Sequence, residues 1–265
     1  VGTEVSIFTR TGITRIMRFA FKLAQSRPRK LLTVVTKSNA QRFGMVMWDE
    51  IAAEVSEEFP EVSWNKMLVD AMTVRMVKDP QSLDTIVATN LHGDILSDLA
   101  GALAGSLGVA PTGNINPEGH FPSMFEPIHG SAFDIIGKGI ANPVATFWTG
   151  AMMNDNLGEH VAAIKIMGAV ERVCEAGIMT PDIGGKATTQ EVTDAVINDI
   201  DRSSLEIAFI RTYDSVWISL EEIAGASAKN VVLVQTILNH NAQKAVFLRS
   251  FQACATQRDL FRERD

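Results

Sequence analysis

Two acidic side chains within one predicted helix could bind a divalent metal ion. The stretch LDTIVATNLHGDILSDLAG, residues 83–101, begins with an apolar run at 85–89 that is typical of a buried strand. Gly93 then opens a helical pattern in which Asp94 and Asp98 lie four residues apart. That spacing places both carboxylates on one helix face, within reach of a single cation. The alternative is a pair of acids that only interacts favourably with the dipole of a helix N-terminus.

Two further charged residues follow predicted strands. Lys37 comes directly after the apolar strand LLTVVT, and Asp70 lies just past a predicted strand at 62–69. A lysine at a strand end can transfer protons if partial burial lowers its pKa, although a surface lysine with a packed aliphatic stem would look the same. Three acids after strand ends predict an all-oxygen site that suits Mg²⁺ or Mn²⁺ and not zinc.

A glycine-rich passage could bind a nucleotide. The sequence FEPIHGSAFDIIGKGIANP occupies residues 125–143. Its glycines would let the backbone approach a ligand closely. His129, Asp134 and Asn142 offer hydrogen-bonding groups suited to an adenosine. Taken alone, the passage is only a loop with glycines.

Alternating strand and helix patterns predict an α/β layer fold. Thr14 is the expected N-cap of a first helix whose apolar face carries Ile16, Phe19 and Leu23. The Gly- and Pro-rich passage at 105–130 is expected to form loops. The remaining predicted elements are strands at 31–36, 62–69 and 85–89, helices at 41–59 and at about 143–156, 158–176 and 188–200, and a short helix that ends at 77.

Composition limits the classes of partner and location. The 265 residues are 46% hydrophobic, enough for one large or two ordinary domains, and the net charge of −7 makes nucleic acid an unfavourable partner. No apolar run of about 18 residues is present, so we expect no membrane partner. Cys174 and Cys254 lie far apart, which favours free thiols in a reducing, cytoplasmic location. The sequence begins mid-pattern without Met, which we interpret as a fragment or a processed product.

Taken together, these passages resemble the metal- and NAD-dependent β-decarboxylating dehydrogenases, the family of isopropylmalate, isocitrate and tartrate dehydrogenases. The resemblance covers roughly residues 1–200, and its motifs are TKSNA around Lys37, VDAM around Asp70, NLHGDILSDL around Asp94 and Asp98, the 125–143 passage, and TPDIGGKATTQEVTDAV at 180–196. Within the family, the segments at 6–12, 36–39 and 113–127 look most like tartrate dehydrogenases, which also act as D-malate decarboxylating enzymes.

The resemblance implies an isopropylmalate dehydrogenase-like two-domain α/β/α fold. We expect it to be incomplete, lacking the N-terminal strands of the large domain. Residues 1–104 would form the small dimerising domain with the metal and lysine site, and 105–200 would form the C-terminal part of the large NAD-binding domain. The family's substrate-binding arginines and catalytic tyrosine would precede this chain, whose one tyrosine is Tyr213.

The resemblance also implies roles for individual residues. Asp94 and Asp98 would bind Mg²⁺ or Mn²⁺, and Asp70 of the partner subunit would complete the site in a homodimer with a shared active site. Lys37 would also reach across the dimer and take the proton from the substrate hydroxyl. The implied NAD pocket consists of Glu126, His129, Gly130, Ser131, Ala132, Asp134 and Asn142. Asp134 favours NAD over NADP, because a carboxylate accepts from the ribose 2′-hydroxyl and repels a 2′-phosphate.

The implied activity is NAD-dependent oxidation, with or without decarboxylation, of a small 2-hydroxy dicarboxylate such as tartrate or D-malate. Isopropylmalate or isocitrate dehydrogenase, or a truncated non-catalytic dimerising subunit of the family, are the alternatives. Two residues depart from the family's pattern: His92 stands where an aromatic such as Phe is usual, and Phe133 where Pro is usual.

Residues 201–265 resemble nothing in the family. A frameshifted or wrongly predicted exon and a partner-binding extension would both explain this tail, and we expect low order or loose helical packing there. Helical patterns lie at 210–223 and 231–247, although VVLV at 231–234 is also strand-like.

Overall fold

A parallel sheet with helices on both faces organises the first part of the chain. The computed structural model describes the backbone of residues 1–213 and 232–234 and the side chains of residues 1–202. The described residues form two compact units: the first comprises Val1–Ala100 together with the strand at 232–234, and the second starts at Gly101. The helices are α1 (Arg10–Ser26), α2 (Gly44–Ser56), α3 (Val69–Lys78), α4 (Asn90–Leu103), α5 (Val144–Asn156), α6 (His160–Glu175) and α7 (Thr189–Tyr213). The strands are β1 (Leu31–Thr36), β2 (Ser63–Leu68), β3 (Thr85–Val87), β4 (Pro111–Asn114), β5 (Met124–Pro127) and β6 (Val232–Val234).

The sheet of the first unit has the order β2-β1-β3-β6, and each neighbouring pair is parallel. In the register, Thr36 is opposite Leu68 and Val34 is opposite Val87. The carboxyl ends of β1, β2 and β3 therefore lie along one edge of the sheet. Lys37 lies at this edge, and α3 and α4 begin there.

Side chains alternate across this sheet and build a core on each face. Leu32 and Val34 of β1 join the apolar cluster formed with α1 and α2. Val35 points the other way and joins the cluster formed with α3 and α4. This helix–sheet–helix layering confirms the predicted α/β fold class.

The first helix begins earlier than predicted. The hydroxyl oxygen of Thr9, not Thr14, accepts a hydrogen bond from the Gly12 backbone N–H and caps α1. The prediction was wrong because the most buried face of α1 carries Ile13, Met17 and Phe21, and the chain is already helical at Arg10. The expected apolar residues, Ile16, Phe19 and Leu23, pack at the margin of the same core.

The central stretch also differs in its boundaries. The strand covers Thr85–Val87 and not the whole run at 85–89, and α4 starts at Asn90, before Gly93. The Gly93 N–H donates to the Thr89 carbonyl at 2.7 Å, which closes the first turn of the helix. Asp94 and Asp98 consequently lie in the body of α4.

The second unit contains an antiparallel hairpin and three helices. In β4 and β5, Thr112 is opposite Glu126. The prediction of loops at 105–130 was wrong here, because Pro111 and Gly113 are poor strand formers and hid the strand. Gly113 is needed at its position: a Cβ there would lie 2.8 Å from the Phe125 ring. Val144 of α5, Val170 of α6 and Val196 of α7 belong to the core of this unit.

Only part of the C-terminal tail is described. Helix α7 continues to Tyr213, beyond the predicted end at 200, and β6 pairs in parallel with β3, consistent with the strand-like reading of VVLV. The rest of the predictions for 201–265, with Cys254, lies outside the described residues. Among the residues that the structure describes, no helix is both long and apolar enough to cross a membrane.

A buried ion pair joins α1's C-terminal end to the residue before β3. Both Nε and Nη2 of Arg27 donate to Oδ1 of Asp84, at 2.8 and 2.6 Å, and both side chains are almost fully buried. Removing the carboxylate charge would leave a buried guanidinium without its counter-charge.

We expect Asp84→Asn to destabilise the protein by about 3–5 kcal/mol, because breaking a buried pair leaves an uncompensated charge. Urea unfolding followed by circular dichroism would measure the loss. Asp79→Asn is the matched control, since Asp79 pairs with Arg75 on the surface at 3.5 Å. It should cost less than about 0.5 kcal/mol. Similar losses for the two variants would contradict the prediction.

Glu171 on α6 is a half-buried acid with an altered titration. Burial, assisted by the negative charge of Glu175, raises its pKa from 4.5 to about 8. Between these values the unfolded chain has lost the proton while the folded chain keeps it, so the stability of the folded state falls as pH rises through this window.

We expect Glu171→Gln to flatten the decline in unfolding free energy between pH 4.5 and 8, because glutamine cannot lose the proton. Urea unfolding at a series of pH values would measure it. Glu175→Gln should give a smaller flattening, since burial contributes more than the charge of Glu175. Identical pH profiles for Glu171→Gln and the unsubstituted protein would refute this assignment.

Candidate functional site

Lys37 and Asp70 meet at the carboxyl edge of the parallel sheet. Lys37 follows β1, and Asp70 lies in the first turn of α3, directly after β2. The two strands are neighbours, so the Lys37 ammonium donates to Asp70 Oδ1 at 2.8 Å. The Lys37 side chain is 27% exposed and that of Asp70 is 65% exposed, so both groups remain accessible. The structure therefore brings the two predicted catalytic residues together within one chain.

The Asp70 carboxyl titrates differently because of this contact. The hydrogen bond from Lys37 lowers its pKa, with help from a backbone N–H and from the Lys37 charge. Asp70 is thus held as a carboxylate that can accept hydrogen bonds or bind a cation.

Asp94 and Asp98 lie one turn apart on the exposed side of α4, while Leu96 and Ser97 between them are buried. Four carboxylate oxygens on one accessible helix face are a donor set that fits a hard divalent cation such as Mg²⁺ or Mn²⁺. Within residues 1–202, no three acidic, His or Cys side chains are grouped so as to hold a metal ion. The predicted third ligand, Asp70, is bonded to Lys37 in the same chain.

His92 is a buried polar residue beside this edge. It lies in the first turn of α4 and is only 8% exposed. Its Nδ1 has no hydrogen-bond partner among the described residues. Burial, together with the positive charge of Lys37, lowers its pKa and favours the neutral imidazole. The sequence identifies His92 as a departure from the family pattern, but its burial near Lys37 is seen in the structure and could not be predicted.

The second unit carries the glycine-rich loop. Glu126 lies on β5, and the loop continues from Ile128 to Asn142, where α5 follows. Gly130, Gly137 and Gly139 have φ values of +57°, +76° and +66°, a conformation that favours glycine. The other predicted cofactor residues of the loop are exposed or half-buried: His129, Ser131, Ala132 and Asp134. His129 Nδ1 lies 2.9 Å from the Gly130 carbonyl oxygen.

This loop presents groups that fit a dinucleotide. Its backbone is exposed around glycines whose Cβ positions face open space, so a ligand can approach closely. The exposed Asp134 carboxylate can accept hydrogen bonds from a ribose. These residues lie in the second unit, whereas Lys37, Asp70, Asp94 and Asp98 lie in the first.

Asn142, at the end of the loop, is engaged within the protein. Its Oδ1 accepts from the Val144 N–H at 2.9 Å, and its Nδ2 donates to Asp182 Oδ2 at 3.0 Å. Asp182 did not emerge from the sequence as a site residue. Its only sequence signal is its place in TPDIGGKATTQEVTDAV, to which we assigned no role.

The isocitrate/isopropylmalate dehydrogenase family model matches residues 1–196. The chain belongs to this family. The match covers both units up to the middle of α7 and confirms the family that the motifs predicted.

Curated relatives agree with this membership. A probable tartrate dehydrogenase/decarboxylase of Agrobacterium vitis is 79% identical over 205 residues, which are 77% of this chain and 57% of the relative. A D-malate dehydrogenase (decarboxylating) of Escherichia coli strain K12 is 52% identical over 204 residues, 75% of this chain and 56% of the relative. The chain thus spans little more than half the length of these relatives. The predicted likeness to tartrate and D-malate dehydrogenases is confirmed.

A solved structure supports the fold. The crystal structure of isocitrate dehydrogenase from Methylococcus capsulatus matches with a TM-score of 0.71 and 40% sequence identity. The match covers 75% of this chain and 58% of that one. The predicted fold class is therefore confirmed by a member of the same family.

The contact between Lys37 and Asp70 can be tested by titration. We expect Lys37→Met to raise the Asp70 pKa towards its ordinary value, because the hydrogen bond from Lys37 is the main cause of the lowering. The lowered pKa stabilises the folded state at pH values above the ordinary aspartate pKa, and this stabilisation disappears as pH falls through the lowered value. The variant should lack this stabilisation. Carbon-detected NMR of the carboxyl groups would follow it.

Lys66→Met is the matched control for this titration. Lys66 lies on β2 and pairs with Asp49 at 2.8 Å, so its removal takes away a nearby charge but not the bond to Asp70. An Asp70 titration that moves equally in both variants, or in neither, would contradict the assignment.

Proposed function

We propose that the protein takes part in NAD-dependent oxidation, with or without decarboxylation, of a small 2-hydroxy dicarboxylate such as tartrate or D-malate, assisted by Mg²⁺ or Mn²⁺. The observation that carries the proposal is the Lys37–Asp70 pair at the carboxyl edge of a parallel sheet, just after the ends of β1 and β2. The names of the relatives at 79% and 52% identity support the substrate class.

In this proposal, Lys37 is the group that takes the proton from the substrate hydroxyl. Its Nζ is oriented by the bond to Asp70 at 2.8 Å, which restricts a side chain that would otherwise sample many rotamers. Because its pKa is lowered, Asp70 stays a carboxylate and accepts a hydrogen bond from Lys37 without taking up the proton. A lysine must give up its own proton before it can act as a base.

Asp94 and Asp98 would hold the divalent cation, with Asp70 of the partner subunit as a third ligand. When bound, the cation supplies Lewis-acid polarisation of the substrate oxygens, and NAD supplies the hydride acceptor. Glu126, His129, Gly130, Ser131, Ala132, Asp134 and Asn142 would line the cofactor pocket.

A homodimer with a shared active site is part of the proposal. Leu91 and Ile95 on α4 are 64% and 52% exposed and lie next to the two acids. An exposed apolar helix face beside a functional site fits contact with a second copy of the chain. We further propose that residues 1–104 are the dimerising domain, that 105–200 belong to the NAD-binding domain, and that the protein is cytoplasmic.

Isocitrate oxidation is a second candidate, because the matched crystal structure is an isocitrate dehydrogenase. NADH formation, followed by absorbance with D-malate, tartrate, isocitrate or isopropylmalate, separates the candidates. We expect turnover with D-malate or tartrate to require Mn²⁺ or Mg²⁺.

We expect Asp98→Asn to weaken Mn²⁺ binding by at least about tenfold and to lower turnover in parallel, because an amide replaces a charged oxygen ligand. Electron paramagnetic resonance of free Mn²⁺ would measure the affinity without requiring activity. Asp79→Asn, an exposed aspartate in the same unit, should leave the affinity unchanged. Wild-type affinity in Asp98→Asn would refute the metal assignment. Mn²⁺ binding without turnover on any of the four substrates would instead favour the non-catalytic dimerising subunit.

A further inference from the structure

One acidic residue in the second unit accepts hydrogen bonds from the turn before β4 and from the end of the glycine-rich loop. Asp182 Oδ2 accepts from the Ser106 hydroxyl at 2.5 Å and from Asn142 Nδ2 at 3.0 Å. Its Oδ1 accepts from the Thr180 hydroxyl, also at 2.5 Å. Thr180 is fully buried and Asn142 nearly so, whereas Asp182 itself is exposed, so its carboxylate binds these donors from the protein surface.

The contact with Ser106 holds the short helical turn that precedes the β4–β5 hairpin. The Ser106 hydroxyl oxygen also accepts from the Gly108 N–H at 2.9 Å, in the short helical turn that precedes β4. Gly108 fits closely here, since a Cβ on it would lie 2.8 Å from Asp182 Oδ2. At the other side of the hairpin, the Ile128 N–H donates to the Ala110 carbonyl at 3.1 Å, which positions the first loop residue.

The contact with Asn142 fixes the end of the loop. Asn142 links Asp182 to the first turn of α5 through the Val144 N–H. Thr189 makes two hydrogen bonds to loop residues that directly precede Asn142. Its N–H donates to the Gly139 carbonyl at 2.8 Å, and its hydroxyl donates to the Ala141 carbonyl at 2.6 Å. The segment from Thr180 to Thr189 thus forms the support on which the loop ends.

We infer that Asp182 is a positioning residue: it ties the end of the loop at 128–142, through Asn142, to the turn before β4, through Ser106, and so holds the loop in the conformation that receives the dinucleotide. The inference rests on the proposed function for its ligand, NAD⁺. A loop with three left-handed glycines loses much conformational entropy when it is ordered, so ends that are fixed beforehand reduce the cost of binding.

The carboxylate is necessary because it accepts three hydrogen bonds through two oxygens. An asparagine at this position has a single acceptor oxygen, so either Thr180 or the Ser106–Asn142 pair would face an N–H₂ group instead. Hydrogen bonds to a charged acceptor are also about twice as strong as neutral ones.

The test compares Asp182→Asn with Asp194→Asn, an exposed aspartate on α7 that accepts a hydrogen bond from Gln190. Two measurements are made on the full chain: NAD⁺ affinity by titration calorimetry, and amide hydrogen exchange of peptides that cover 128–142. We expect Asp182→Asn to weaken NAD⁺ binding about tenfold and to speed exchange in the loop by a similar factor. Exchange in α1 and β1 should not change, and Asp194→Asn should match the unsubstituted chain.

A double variant separates positioning from general destabilisation. Ser106→Ala removes one of the bonds to Asp182, so its effect on NAD⁺ affinity should be largely absent when Asp182→Asn is already in place. Additive effects, unchanged loop exchange in Asp182→Asn, or faster exchange with unaltered NAD⁺ affinity would each overturn the inference. Failure of the unsubstituted chain to bind NAD⁺ would instead overturn the cofactor part of the proposed function, and the exchange rates would then decide alone whether Asp182 fastens the loop.

Discussion

The parallel register of β1 against its two neighbours is the constraint on which the first unit depends. With Thr36 opposite Leu68, the residues that follow the two strands emerge side by side, and Lys37 can bond Asp70 although they are far apart in sequence. An antiparallel pairing would send these residues to opposite edges. The same register, through β3, starts α4 at that edge and so sets where its two acids lie.

In the second unit, the candidate ligand-binding residues belong to a loop that buries little apolar surface. Phe133 and Ile136 of this loop point to solvent, so packing cannot hold it in place. Hydrogen bonds do so instead: Ile128 bonds Ala110 at the start of the loop, and Asp182 and Thr189 bond Asn142 and Ala141 at its end. The interior of the loop is left accessible, which a binding surface requires.

The sequence predicts well what depends on local periodicity. The apolar run at 31–36 is β1 with the same boundaries, and the strand ends correctly indicate where Lys37 and Asp70 lie. Features that depend on distant partners could not be predicted. Asp182 bonds Ser106 and Asn142, which are 76 and 40 residues away, so no spacing pattern marks it. The choice of Thr9 over Thr14 as a cap likewise depends on which face of α1 meets the sheet.

The burial of His92 explains how Lys37 keeps its bond to Asp70. A protonated imidazole at the start of α4 would place a second positive charge near the Lys37 ammonium and repel it. Burial lowers the pKa of His92 and so favours the neutral imidazole, which leaves Lys37 bonded to Asp70. A phenyl ring would also be neutral, but it could not offer the unpartnered Nδ1. The departure from the usual aromatic residue therefore preserves the charge balance at this edge and adds a polar atom to it.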